Sequence, residues 1–178
     1  MSEAMSRERR AAARPVTVRL AGPADAAAVY ALVVELAGAR GVSHKVASSV
    51  EDIARDGFGA DPAFEALLAE LDGAPVGLCL FFGSYSTWRG RRGLYVQDLV
   101  VRECARGLGL GERLLAAAAA LCAARGGCYL RLSVEAGNTA AQRFYRRAGL
   151  EHSAAEQIYL LEDAAFDALA AGAESIPS

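Results

Sequence analysis

The chain has 178 residues, enough for one domain with a sizeable core. Its formal net charge of −2 leaves no electrostatic footprint for nucleic acid, and no apolar run is long enough to cross a bilayer. The cysteines, Cys79, Cys104, Cys122 and Cys128, form no Cys-x-x-Cys pair and lie far in sequence from His44 and His152, so reduced thiols in a cytoplasmic protein are expected, with no metal.

Met1 to Arg14 is polar and arginine-rich and lacks the apolar core of a signal peptide; residues 1–14 read as a disordered arm, with a transit peptide as the other reading. Val16 to Leu20 alternates as a first strand, and Gly22-Pro23 stops it. Asp25 is placed to cap a helix through about Ala37, with Val29, Leu32, Val33 and Leu36 on one stripe. Glu35 falls in the last turn of that helix, where its charge opposes the dipole, and reads as a solvated side chain or as a contact to substrate. Ser49 and Asp52 form a capping box ahead of Val50 and Ile53, and Gly57-Phe58-Gly59 ends that helix.

Asp72-Gly73 favours a hairpin between a strand over Phe64 to Leu71 and another over Val76 to Tyr85. Gly83 to Gly93, with the single tryptophan Trp88, reads as a loop. Leu94 to Val101 follows as the central strand, with Leu94, Val96, Asp98 and Val100 expected on one face and Tyr95, Gln97, Leu99 and Val101 on the other. A carboxylate in so apolar a strand is costly to bury, so Asp98 is expected to be hydrogen-bonded or to face a wet cleft. A helix over Glu112 to Ala124, a strand over Tyr129 to Val134 and a helix over Asn138 to Ala148 follow. Leu150 to Ser153 and Ile158 to Leu161 read as a final strand pair, and Ala164 to Ala170 as a short helix. Residues 15–171 make one α/β domain with a mixed sheet, and 172–178 a flexible tail.

Between the central strand and its helix lies Arg106-Gly107-Leu108-Gly109-Leu110-Gly111. Glycines at alternate positions before a helix let backbone amides approach an anion closely, and the helix N-terminus adds partial positive charge. Gly111-Glu112-Arg113 lacks the Gly-Lys-Ser/Thr ending of a Walker loop, and Glu112 stands where a dinucleotide fingerprint needs its third glycine. What remains is Arg-x-x-Gly-x-Gly, which resembles the acetyl-CoA loop of the GNAT N-acetyltransferase superfamily. Asn138 to Leu150 resembles a second signature of that superfamily, Asn-x-x-Ala-x-x-Phe-Tyr-x-x-x-Gly-Phe. Glu51 to Gly59, Tyr85-x-x-Trp88-x-Gly90 and Leu94 to Val101 resemble its diamine (spermidine/spermine) N-acetyltransferase branch.

The resemblance implies the GNAT fold, a mixed, mostly antiparallel sheet flanked by helices, over nearly the whole chain from Val16 to about Leu169. It implies acetyl-CoA as acyl donor. The backbone at Leu99, Val100 and Val101 would pair with the pantetheine arm. Arg106, Gly107, Leu108, Gly109, Leu110, Gly111 and Glu112 would take the pyrophosphate, and Asn138, Thr139, Ala140 and Ala141 would line the far side. Tyr145 would protonate the departing CoA thiolate, while Phe144 packs. Members of the branch are commonly homodimers. The acceptor, a small-molecule amine, would meet Glu35, Trp88, Gln97, Asp98, Arg131 and Ser133.

The chain departs from the branch at Gln97, where members carry a glutamate thought to steer the amine and draw its proton. An alkylammonium with pKa ~10.4 must lose a proton near pH 7, at about 4.6 kcal/mol from ~1.36 kcal/mol per unit. Asp98 and Glu135 are the nearest candidates to help, and a water chain or an amine of lower pKa would also serve. The stretch Ala39 to Lys45 is basic where the branch is acidic, and Ser86 replaces an aspartate. Arg40 and Lys45 would repel a long polycation. A smaller amine bearing a carboxylate, such as an amino acid or a thia-analogue of lysine, is therefore expected. Two other readings stay open: a protein N-terminal or lysine acetyltransferase, and a CoA-binding module without turnover.

Overall fold

The computed structural model describes residues 15–172. The expected arm, 1–14, and all of the expected tail beyond residue 172 lie outside them. The chain divides into two compact units, one up to Asn138 and one from Thr139 onward.

The first unit runs β1 (Val16–Leu20), α1 (Ala26–Ala39), α2 (Val50–Phe58), β2 (Glu65–Leu71), β3 (Ala74–Ser86), β4 (Arg91–Val101), α3 (Leu110–Ala124) and β5 (Leu130–Leu132). The strands form one sheet in sequence order. Neighbours from β1 to β4 are antiparallel, and β5 lies parallel to β4. This is the mixed, mostly antiparallel sheet that was expected.

Local chemistry explains the joints. Asp72 (φ 55°) and Gly73 (φ 77°) are both left-handed, the requirement of a two-residue hairpin turn, so β2 returns directly as β3. Ser49 and Asp52 satisfy each other's amides in a full capping box at the start of α2. Asp25 does not cap α1 as expected. Its carboxylate accepts from the Gly22 amide at 2.8 Å and from the Arg19 guanidinium at 2.7 and 2.9 Å. That pairing with Arg19 holds the Asp25 carboxyl below the usual carboxylate range.

The sheet is covered on both faces. Ala66, Leu68, Leu78 and Leu80 pack with Ala26, Val29 and Leu32 of α1 and Ile53 of α2. On the opposite face α3 lies across β2, β3 and β4 and buries Leu110, Leu114, Leu115, Ala118 and Cys122.

The loop expected over Gly83 to Gly93 is a correction. The β3–β4 ladder continues to Ser86 and Arg91, leaving only residues 87–90 as the turn. The glycines there do not end the strand. Gly93 admits the Tyr129 ring, which a Cβ would meet at 2.4 Å.

The second unit contains α4 (Thr139–Arg147) and α5 (Asp163–Ala171). Gly149 (φ 89°) closes α4, with its amide donating to Arg146 and that of Leu150 to Tyr145. The strands expected over Leu150 to Ser153 and Ile158 to Leu161 are absent among the described residues. Ile158 to Leu161 is exposed throughout, and four-residue strands with no covered apolar face are not stable as an isolated pair. Among the described residues no helix is long and apolar enough to cross a membrane.

Candidate active site

The end of β4 fixes the glycine loop. Arg102 directly follows the strand, its amide donating to Val76 O at 2.8 Å and its guanidinium to Pro75 O at 2.9 Å. A short 3-10 turn, Glu103–Ala105, buries Ala105, and the chain then enters the loop. Gly107 (φ 77°) and Gly109 (φ 71°) are left-handed, and α3 starts at Leu110, two residues earlier than expected.

The Arg106 amide donates to Glu103 O at 3.2 Å, and the Arg113 amide to Gly109 O at 3.0 Å. Between them, from Gly107 to Glu112, the amides find no acceptor among the described residues. These donors sit at a helix N-terminus beside the exposed Arg106. A Cβ at Gly107 or Gly109 would meet nothing within 4 Å, so it is the left-handed backbone and not crowding that calls for glycine here. That donor set suits a diphosphate such as the one acetyl-CoA carries. The Arg106 Nε reaches back toward Val101 O, 3.5 Å away.

Along β4 the partner strands are uneven. β5 pairs only with Leu94, Tyr95 and Val96. From Gln97 to Val101, which includes Leu99 and Val100, the edge of β4 on the β5 side has no ladder among the described residues. An open edge can pair with an extended amide-bearing ligand.

The expected alternation of Leu94 to Val101 is corrected by a β-bulge. Val96 lies opposite Phe81 and Asp98 opposite Leu80, so Gln97 is the extra residue. Leu94, Val96, Leu99 and Val101 therefore share the α3 face. Tyr95, Asp98 and Val100 share the α1 face with Leu78 and Leu80, and Val100 packs on the α1 cluster. Gln97 is exposed.

On the α1 face the polar groups converge. Tyr95 stacks on Phe82 with centroids 5.1 Å apart and donates its hydroxyl to Ser133 Oγ at 2.7 Å. Arg131 stands opposite Tyr95 in the β4–β5 register. Asp98 is largely desolvated, which pushes its carboxyl above the ordinary range, and the nearby Arg40 charge partly offsets the shift. Arg40, at the C-terminus of α1, pairs with Glu135 just beyond β5. Asp98, Gln97, Arg131 and Ser133 thus gather at one end of β4 and β5.

Two other nominated residues are placed differently. Glu35 is engaged bidentately by Arg102, at 2.6 to 3.1 Å, and because α1 runs on to Ala39 it lies before the last turn and not within it. Trp88 is fully exposed at the tip of the β3–β4 hairpin. The strand from Arg91 to Asp98 separates it from Asp98 by roughly 20 Å at about 3.3 Å per residue. Tyr95 and Arg102 were not singled out as site residues; Glu135 was expected to help draw the amine proton and Arg40 to repel a polycation, but their pairing with each other was not foreseen. The signal for Arg102 was its position directly after the apolar strand.

In the second unit Tyr145 is half-buried and meets Phe144 edge-on at 5.3 Å. Thr139 Oγ1 accepts from Arg143 at 3.4 Å, and Ala140 and Ala141 complete the first turn of α4. Asn138, the last residue of the first unit, donates its amide to Glu135 O at 2.9 Å. A cavity of about 380 Å³ lies elsewhere, lined by Glu65, Gly83, Tyr85, Arg92 and Arg125, and none of the nominated residues borders it. Among the described residues no three His, Cys, Asp or Glu side chains are grouped to hold a metal ion.

Residues 27–150 match the acetyltransferase (GNAT) family. The chain belongs to that family. This acetyltransferase is 34% identical over 144 residues to thialysine N-epsilon-acetyltransferase of Bos taurus, covering 76% of this chain and 84% of that one. It is 30% identical over 105 residues to spermidine/spermine N(1)-acetyltransferase-like protein 1 of Homo sapiens, covering 55% of this chain and 15% of that one. An integron cassette protein from the mobile metagenome of V. cholerae superposes with a TM-score of 0.75 at 21% identity, covering 87% of this chain and 97% of that one. That likeness is one of fold.

Proposed function

We propose that this enzyme transfers acetyl from acetyl-CoA to the primary amine of a small molecule, a lysine-like amino acid or a diamine, by direct attack. The observation that carries the reading is the run of unengaged amides from Gly107 to Glu112, at the end of a strand whose open edge leads back to Asp98. The names of the bovine and human relatives point to the same class of acceptor.

When bound, acetyl-CoA supplies the thioester carbonyl that the acceptor nitrogen attacks. The loop from Arg106 to Glu112 would hold its diphosphate, and the β4 edge at Leu99, Val100 and Val101 its pantetheine amides. Asn138, Thr139, Ala140 and Ala141 would flank it. Fixing both reactants in this way removes much of the entropic cost of the encounter.

Asp98 draws the proton from the acceptor ammonium, directly or through water. A carboxyl raised by desolvation is a better-matched base at neutral pH than an ordinary one. Gln97 hydrogen-bonds the amine but accepts no proton. Tyr145 returns a proton to the leaving sulfur. Residues 15–171 act as one acetyltransferase domain, in a cytoplasmic homodimer. The four unpaired thiols and the resemblance to the diamine branch support that setting.

Release of the CoA thiol, measured with a panel of small amines, amino acids and peptides, tests the proposal. Stimulation by lysine-like amino acids or diamines and not by peptides is the expected result. Stimulation by peptides alone would mark a protein acetyltransferase. Gln97 favours one rival, a CoA-holding module without turnover, which would bind acetyl-CoA and release no thiol with any acceptor.

A further inference from the structure

We infer that Arg40 and Glu135 form an opening ion pair that reads the amino-acid head group of the acceptor, with Arg40 taking its carboxylate and Glu135 its α-ammonium. The inference rests on the reading of the chain as an acetyltransferase of small primary amines. It adds which end of the acceptor is recognised, and by what.

Four charged side chains, Asp98, Arg40, Glu135 and Arg131, are arranged around the acceptor end of β4, Arg131 lying opposite Tyr95. Asp98 lies on the α1 face, close enough to Arg40 for the two charges to interact. Arg40 in turn pairs with Glu135. Both partners are open to solvent, with side-chain exposures of 42% and 59%. Neither is anchored in a core. Arg40 caps α1, where a cation suits the helix C-terminus, and Glu135 follows the three-residue strand β5. A solvent-screened pair of this kind is weak, so a ligand can separate it at low cost.

The arrangement discriminates by charge. A diamine brings a second ammonium, which Arg40 repels. An amino acid brings a carboxylate and an ammonium side by side. Its carboxylate replaces Glu135 on the guanidinium, where a planar fork favours two parallel hydrogen bonds. Glu135, displaced, meets the neighbouring α-ammonium. Each charge of the opened pair then faces one of opposite sign, while the distal amine points toward Asp98.

Lysine and cadaverine differ only by that carboxylate, and Nα-acetyl-lysine lacks only the α-ammonium. The experiment compares kcat/KM for the three acceptors in the wild type, Arg40→Ala and Glu135→Gln. The wild type is expected to prefer lysine to cadaverine. Arg40→Ala should lower the lysine-to-cadaverine ratio by about tenfold or more, the size of a lost charge-assisted hydrogen bond. Glu135→Gln should erase the preference for lysine over Nα-acetyl-lysine. Any effect of Arg40 on Asp98 moves all acceptors alike, so the ratios isolate recognition. An unchanged lysine-to-cadaverine ratio in Arg40→Ala overturns the inference, as does a wild-type preference for cadaverine, and both leave the acetyltransferase reading standing. Failure to acetylate any of the three overturns both.

Discussion

Val96 and Asp98 are two positions apart on β4 yet face opposite sides of the sheet, because Gln97 is an extra residue in the ladder to β3. Without the bulge both would point at α3, where Leu114, Leu115 and Ala118 offer a carboxylate no partner. The bulge instead delivers Asp98 to the α1 face, within reach of the Arg40 charge, at the point where β4 loses its β5 neighbour.

Asp98 should set the acid limb of the pH–rate profile. Its carboxyl is raised by desolvation, so kcat/KM should climb through a pKa above the usual carboxylate range. Asp98→Asn should remove that limb and lower kcat by about 10²- to 10⁴-fold, the span of general base catalysis. Stability should move the other way. A carboxyl raised in the folded state favours folding at low pH, and that contribution is lost as pH rises through the folded pKa. Asp98→Asn should therefore raise the melting temperature at pH 7 and leave it unchanged below about pH 4, the ordinary unfolded value.

Gln97→Glu places a second carboxylate beside Asp98. Like charges push the neighbouring pKa upward, so the acid limb should move to higher pH. The added charge should also improve kcat/KM for cadaverine more than for lysine. A pH profile that does not shift would separate residue 97 electrostatically from Asp98.

Gly93 tests the packing of the β4–β5 end. A Cβ there would stand 2.4 Å from the Tyr129 ring, which bonds Ser84 at 3.0 Å through its hydroxyl. Gly93→Ala should cost about 1–3 kcal/mol, the usual range for overpacking, in urea-induced unfolding. An unchanged midpoint would mean that the ring moves aside freely.

Much of the fold was legible because its signals are local. The Asp72-Gly73 turn, the Ser49/Asp52 box and the glycine pair before α3 each specify backbone geometry from a few residues. The site was less legible where it depends on register. The bulge at Gln97 leaves no mark in a strand of apolar residues, so alternation alone grouped Asp98 with Leu94 and Val96, although it grouped it correctly with Val100. Glu35 resembled a substrate contact until its partner Arg102, distant in sequence, was placed beside it. The Leu150 to Ser153 and Ile158 to Leu161 segments have strand composition, but composition supplies no ladder partner.

Tyr145→Phe keeps the ring and its edge contact with Phe144 while removing the proton. If the phenol serves the leaving sulfur, kcat should fall by about 10²-fold or more with acetyl-CoA affinity within about twofold of the wild type. Single-turnover kinetics alongside calorimetry would read both. Undiminished turnover would remove Tyr145 from the reaction.

The most direct measurement is acetyl-CoA binding by calorimetry in the wild type and in Gly109→Val, with Gly109→Asn as the companion. Asn tolerates the left-handed conformation at φ 71°, whereas a β-branched residue does not. Binding by the wild type, retention by Gly109→Asn and loss of at least about tenfold in affinity by a folded Gly109→Val are expected. Equal affinity in all three proteins would contradict the assignment of the loop from Gly107 to Glu112 as the acetyl-CoA cradle.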